Sequence, residues 1–198
     1  MTQNSAHSLK VIQNAIPKDI AYQVRAEFET ADYDKIIQER TRQFAREFPE
    51  PLPNMPGADE IYYSECYRSK YLENSPLVLE TFDQHLKPII EAETNKVIID
   101  ADLRCYKMTE GGHFRIHRDS NRSDIGFILY LSENWKWDWG GLLLVVQDDD
   151  TATVTIPKFN QLVIMDHKYS QMPHCVTPIT RFAKEPRFIL VGFLRSKD

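Results

Sequence analysis

Three residues carry the first chemical suggestion in this sequence. His117 and Asp119 stand two apart in the stretch FRIHRDS, and His174 follows 57 residues later in MPHCV. Residues i and i+2 of a strand share a face, so the pair at the start of an expected strand can reach one point. A second strand that begins at His174 could bring its imidazole opposite them. Two imidazoles and a carboxylate hold a divalent metal on one side and leave coordination positions open, as ferrous oxygenases require. A plain H-x-D is common, however. His117 could equally lie on the surface between Arg115 and Arg118, and His174 could be a core histidine bonded to backbone.

A second group of residues lies in apolar surroundings. Arg187 opens the run RFILVGFLR, 13 residues after His174. A guanidinium cannot shed its charge, so it enters an apolar strand only with a partner. A small dicarboxylate would suit it, because the guanidinium fork matches a carboxylate edge. A buried Asp or Glu of the chain would serve as well. Tyr130, in ILYLS, could add a hydroxyl to the same carboxylate, and Tyr106 could reach the metal-proximal side. Ordinary core packing also accounts for both tyrosines.

With these residues in place, the sequence from about Leu103 to Arg195 resembles the iron(II)- and 2-oxoglutarate-dependent dioxygenases, in their prolyl-hydroxylase-like branch. LRCYKMTEGGHFRIHRDS is similar to the family's Y-x-x-G-G-x-F-x-x-H-x-D stretch. FILYLSENWKWDWGGLLLV, PHCVTP and RFILVGF resemble the three motifs that follow it, in the same order. The resemblance implies that His117, Asp119 and His174 bind Fe(II). It also implies that Arg187 and Tyr130 hold the distal carboxylate of 2-oxoglutarate, and that Tyr106 lines the pocket. Ser132 and Phe193 depart from the family's usual Asn and Trp. The segment between His174 and Arg187 is long and carries Arg181, a competing candidate for the carboxylate. The implied reaction couples O2 and 2-oxoglutarate to hydroxylation of an unactivated C–H bond. Prolyl residues of a peptide or protein are the first choice of substrate, and a free amino acid or small metabolite the second. A non-enzymatic, cupin-like metal-binding protein is the competing class.

The elements that must position these residues change character along the chain. Lys18 to Glu29 places Ile20, Ala21, Val24 and Phe28 on one helical face. Residues 30–48 read as charged and partly helical, and PEPLPNMPG (49–57) as an irregular segment. Ser75-Pro76 opens a second helix that runs to about Glu93 and stops at Asn95. From residue 96 the period becomes two. Strands are expected over 96–108, 124–131, 142–147, 151–156, 162–165, 174–179 and 188–194, with Leu9 to Ile12 as a further short one. Asp148 to Asp150 read as a hairpin turn. The expected fold is mainly β with flanking N-terminal helices, a double-stranded β-helix or jelly roll. One domain spans 1–198, with 1–95 as a helical support region and 96–198 as the β-helix core.

Secondary features are less specific. Tyr62, Tyr63, Tyr67 and Tyr71 suggest a segment facing an amino-acid-like or peptide ligand, or simple packing on the sheet. At least one of Trp135, Trp137 and Trp139 is expected to be exposed. Asp166 and His167 are placed outside the metal's own ligand set, as supporting or surface groups.

Composition narrows the remaining classes. The 198 residues carry a net charge of −5, which disfavours bulk attraction to nucleic acid or an anionic membrane. No apolar run is long enough to span a bilayer, and the first ten residues lack the form of a signal peptide. Cys66, Cys105 and Cys175 form neither a disulfide framework nor a zinc ribbon. A reducing cytoplasm is the expected compartment.

Overall fold

The computed structural model describes residues 9–39, 61–119, 123–146, 151–167 and 172–197. The expectations for 40–48 and 49–57 and for Asp148 to Asp150 lie outside these ranges.

Eleven strands are described: β1 (Leu9–Gln13), β2 (Tyr33–Glu39), β3 (Ile61–Ser69), β4 (Val97–Met108), β5 (Phe114–His117), β6 (Ile125–Tyr130), β7 (Leu143–Val146), β8 (Ala152–Thr155), β9 (Gln161–Asp166), β10 (His174–Val176) and β11 (Arg187–Lys197). They form a seven-stranded sheet, β1-β9-β6-β11-β4-β3-β2, and a four-stranded sheet, β5-β10-β7-β8. Each pairing is antiparallel. This is the mainly β, jelly-roll arrangement expected from the sequence.

The first 95 residues depart from a purely helical support region. Helix α1 (Lys18–Thr30) forms as expected, but β1, β2 and β3 lie in the same region and extend the large sheet at both edges. Residues 33–39 are strand rather than helix: Tyr33 pairs with Ser69 and Lys35 with Tyr67. Edge strands keep charged residues on their solvated side, and this masks the apolar alternation that marks a strand.

The second helical stretch begins as α2 (Pro76–Thr81), where the Ser75 side chain accepts from the Val78 N–H. It widens into a π turn over Phe82–Leu86 and resumes as α3 (Lys87–Thr94). Pro88 offers no N–H to the preceding turn, and the wider turn accommodates that loss. Asn95 ends the helix in the left-handed conformation (φ 59°).

Two apolar cores result. One packs Val24, Phe28, Val78, Phe82 and Ile90 of the helices against Phe127, Leu129, Ile164 and Leu190 on the outer face of the large sheet. The other lies between the two sheets. There Tyr106, Met108, Ile128, Tyr130, Val163, Met165 and Ile189 meet Leu143, Val145 and Val176. Strands β6 and β9 are buried along their whole length because both their faces are covered.

Candidate metal and cosubstrate site

The small sheet brings the three suspected metal ligands together. His174 opens β10 and pairs with His117 at the end of β5. Asp119 lies just past β5 rather than within a strand, so the pair closes a strand instead of starting one. The ligating atoms of His117, Asp119 and His174 all lie within 4.8 Å of one another. Asp119 Oδ2 is 3.4 Å from His174 Nε2 and 3.8 Å from His117 Nε2.

Backbone carbonyls orient both imidazoles. His117 Nδ1 lies 2.6 Å from the Arg115 carbonyl, and His174 Nδ1 lies 2.9 Å from the Met172 carbonyl. A carbonyl can only accept, so each Nδ1 carries the proton and donates. Each Nε2 is thereby turned toward Asp119; protonated, it can donate to the carboxylate, and without that proton it offers its lone pair to a metal. Burial works to raise the Asp119 carboxyl, but the hydrogen bond from His174 and the neighbouring imidazoles outweigh it and bring it down to about 2. An ionised carboxylate and two Nε2 lone pairs are the donor set that ferrous iron takes.

Arg187 lies in the core between the sheets. It is fully buried at the start of β11, facing Met108 across the β4 ladder. Its Nη1 donates to Met108 Sδ at 3.1 Å, while Nε and Nη2 have no partner. No carboxylate of the described residues pairs with it, which removes the buried Asp or Glu alternative there. The guanidinium carbon sits 5.0 Å from the ring centre of Tyr130, whose buried hydroxyl is likewise unpartnered. Burial depresses the Arg187 pKa and raises that of Tyr130; the mutual attraction of the two opposes both shifts. Two orphaned N–H groups and a phenol at one buried point match the carboxylate of a ligand.

Tyr106 projects into the same interior, edge-on to Phe114 at 5.7 Å, and Phe114 leads to His117 at 6.3 Å. Arg181, the competing candidate, lies exposed in the loop before β11 with its guanidinium over Phe182. Of the tryptophans, Trp135 is buried and donates to the Gly140 carbonyl at 2.9 Å, while Trp137 is 73% exposed. Tyr67 is held by Glu65 on β3, and Tyr71 is exposed.

His167 was not given an interior position by the sequence. It is 7% exposed, and neither ring nitrogen has a hydrogen-bond partner among the described residues. Extending the period of two through Val163 and Met165 was the signal available.

Residues 101–195 match the family model described as the 2OG-Fe(II) oxygenase superfamily. No curated protein matches the chain. Among solved structures, a Pseudomonas putida prolyl-4-hydroxylase is similar at 19% identity and a TM-score of 0.62, covering 98% of this chain and 95% of that one. A Trichoplax adhaerens prolyl hydroxylase, solved with a hypoxia-inducible-factor peptide fragment, is similar at 12% identity and a TM-score of 0.65, with coverage of 95% and 83%. HygX of Streptomyces hygroscopicus, solved with nickel, 2-oxoglutarate and hygromycin B, is similar at 12% identity and a TM-score of 0.62, with coverage of 96% and 84%. At these identities the three structures speak for the fold, and the family model speaks for the kind of protein. Residues 101–195, just under half of the chain, thus match a superfamily of iron(II)- and 2-oxoglutarate-using oxygenases, and the His–Asp–His donor set agrees with that match.

Proposed function

We propose that this chain hydroxylates a prolyl residue in a peptide or protein. In this reading His117, Asp119 and His174 hold the iron, and Arg187 and Tyr130 hold the distal carboxylate of 2-oxoglutarate. The observation that carries it is the fully buried, acid-free guanidinium of Arg187 beside an unpartnered phenol. A buried charge of this kind is tolerated when a ligand completes it. The iron, when bound, supplies O2 activation coupled to decarboxylation of 2-oxoglutarate.

The chain's own residues then perform distinct tasks. The Arg115 and Met172 carbonyls keep both Nδ1 protons in place and both Nε2 atoms ready for metal. The core around Tyr106, Ile128, Val145 and Ile189 excludes water from the cavity. Tyr106 flanks the cosubstrate beside Phe114. Residues 1–198 act as one domain in this reading, since strands from both halves share one sheet. A cytoplasmic location is favoured by Cys66, Cys105 and Cys175, which form no disulfide among the described residues. Among the described residues no helix is long and apolar enough to cross a membrane.

The reading over a free amino acid rests on the two prolyl-hydroxylase neighbours, one of them solved with a peptide. The test incubates the iron-loaded protein with 2-oxoglutarate, O2 and a panel of proline-containing peptides and free amino acids. Mass spectrometry should find one added oxygen on a prolyl residue, with stoichiometric succinate. Oxygen gain confined to a free amino acid would replace the peptide substrate. No iron-dependent succinate from any member of the panel would sink the oxygenase reading.

A further inference from the structure

The strand registers place two buried polar groups at opposite ends of the large sheet's inner face. Arg187 and Tyr130 lie at one end, where Arg187 faces Met108 and Tyr130 pairs with Gln161. From there β11 runs through Ile189 and Val191 toward Phe193, opposite Arg104 and Asp102. Strand β9 runs in the same sense from Gln161, through Val163 and Met165, to His167. The His167 N–H continues the ladder by donating to the Asp124 carbonyl at 3.0 Å. The imidazole sits above Gly126, on the face that also carries Ile128 and Tyr130. A Cβ at Gly126 would lie 3.0 Å from His167 Nε2, so the absent side chain makes the room. His167 therefore lies at the end of the large sheet's inner face away from Arg187, near enough to Asp119 and His174 to feel their charges.

Its chemistry is unusual for a core position. Both ring nitrogens are buried without a partner among the described residues, a state that a folded protein ordinarily avoids. The Ser123 hydroxyl, buried shortly before β6, is also unpartnered among the described residues. Burial, with His174 and Lys96 adding to it against the pull of Asp119 and Asp166, lowers the His167 pKa to about 4, so the ring is neutral near pH 7. A neutral imidazole offers one donor and one acceptor. Three described cations are paired with carboxylates: Lys96 with Asp166 at 2.6 Å, Arg104 with Asp102 at 2.7 Å, and Arg195 with Asp124 at 3.6 Å. A neutral imidazole with a free donor and a free acceptor is matched by a group that also carries one of each, such as an amide.

We propose that His167 is a specificity-determining residue that hydrogen-bonds a backbone amide of the substrate, next to the carbon to be hydroxylated. This rests on the oxygenase reading and deepens it, because an amide is what a peptide presents and a free amino acid lacks.

The experiment uses the full chain loaded with Zn(II), a redox-inert stand-in for iron, and 2-oxoglutarate. N-acetyl-L-prolinamide is titrated in while ring-labelled histidines are followed by NMR, with L-proline as the comparison. The His167 ring signals should shift along a saturable curve with the amide, and L-proline should bind more weakly. His167→Gln, which keeps a donor and an acceptor, should bind the amide within about threefold of the parent. His167→Leu should weaken it about tenfold or more, while Zn(II) and 2-oxoglutarate still bind normally. Unmoved His167 signals, unchanged amide affinity in His167→Leu, or no saturable amide binding to the loaded protein would each overturn the proposal. A parent protein that binds Zn(II) but not 2-oxoglutarate would overturn the oxygenase site itself, and this proposal with it.

Discussion

Arg187 and His167 are both buried polar residues, yet they impose different costs. Arg187 stays charged, so the ligand-free protein holds an uncompensated guanidinium. Replacing it by Leu should leave the ligand-free fold as stable or stabilise it by about 1–3 kcal/mol. The same change should weaken 2-oxoglutarate binding by a hundredfold or more, read by calorimetry. His167 avoids its charge instead. Unfolded, it takes up a proton below its ordinary value of about 6.5; folded, it does so only below about 4. Its contribution is present above the unfolded value and is lost as pH falls through that window. Urea melts should therefore lose up to about 3 kcal/mol between pH 6.5 and 4 on its account, and His167→Leu should flatten that part of the profile. The His–Asp–His group was legible because its residues lie in short local motifs. His167 was not, since the expected strand over 162–165 stopped two residues short. Between Asp166 and Lys168 it also has the sequence neighbours of a surface residue.

At the level of elements, the ligands depend on turns and caps that hold short strands in place. Gly140 has φ 69°, and a Cβ there would lie 2.0 Å from the Pro178 carbonyl oxygen. Gly140→Ala should therefore cost about 2–3 kcal/mol through strain and displaced backbone. Because Gly141 N–H donates to Thr177 beside β10, the change should also loosen metal binding, measurable by competition with a chelator. Ser75→Ala removes the α2 cap, which also donates to Glu27 at 2.6 Å, and should cost about 1 kcal/mol in thermal or chemical melts. These helices were legible from Ser75, Pro76 and the apolar spacing that follows. Strands β2 and β3 were not, because YDKIIQE and IYYSECYRS mix charges with aromatics and lack a clean period. Their strand character comes from the sheet edge they extend, β3 pairing on β4 and β2 on β3.

On the scale of the whole molecule, the metal group and Arg187 belong to different sheets. His117 and His174 are carried by the small sheet, and Arg187 and Tyr130 by the large one. A ligand held at both points joins the sheets, so its binding energy should appear as stability of the whole fold. With Mn(II) present, 2-oxoglutarate at a thousand times its dissociation constant should add about 4 kcal/mol. Asp119→Ala should abolish the part of the thermal shift that depends on metal.

The position of β11 has a consequence for synthesis. This strand lies between β6 and β4, and its ladder partners precede it in the chain. Until residues 187–197 emerge from the ribosome, two long neighbours face each other across an open gap, with their inner backbone groups unpaired. Such edges invite intermolecular pairing. The strand that brings the guanidinium also closes the sheet. A nascent chain stalled before residue 187 should therefore be cut readily by protease, and one extended well past 197 should resist. The cosubstrate pocket and protection from aggregation would then be acquired in the same translational step.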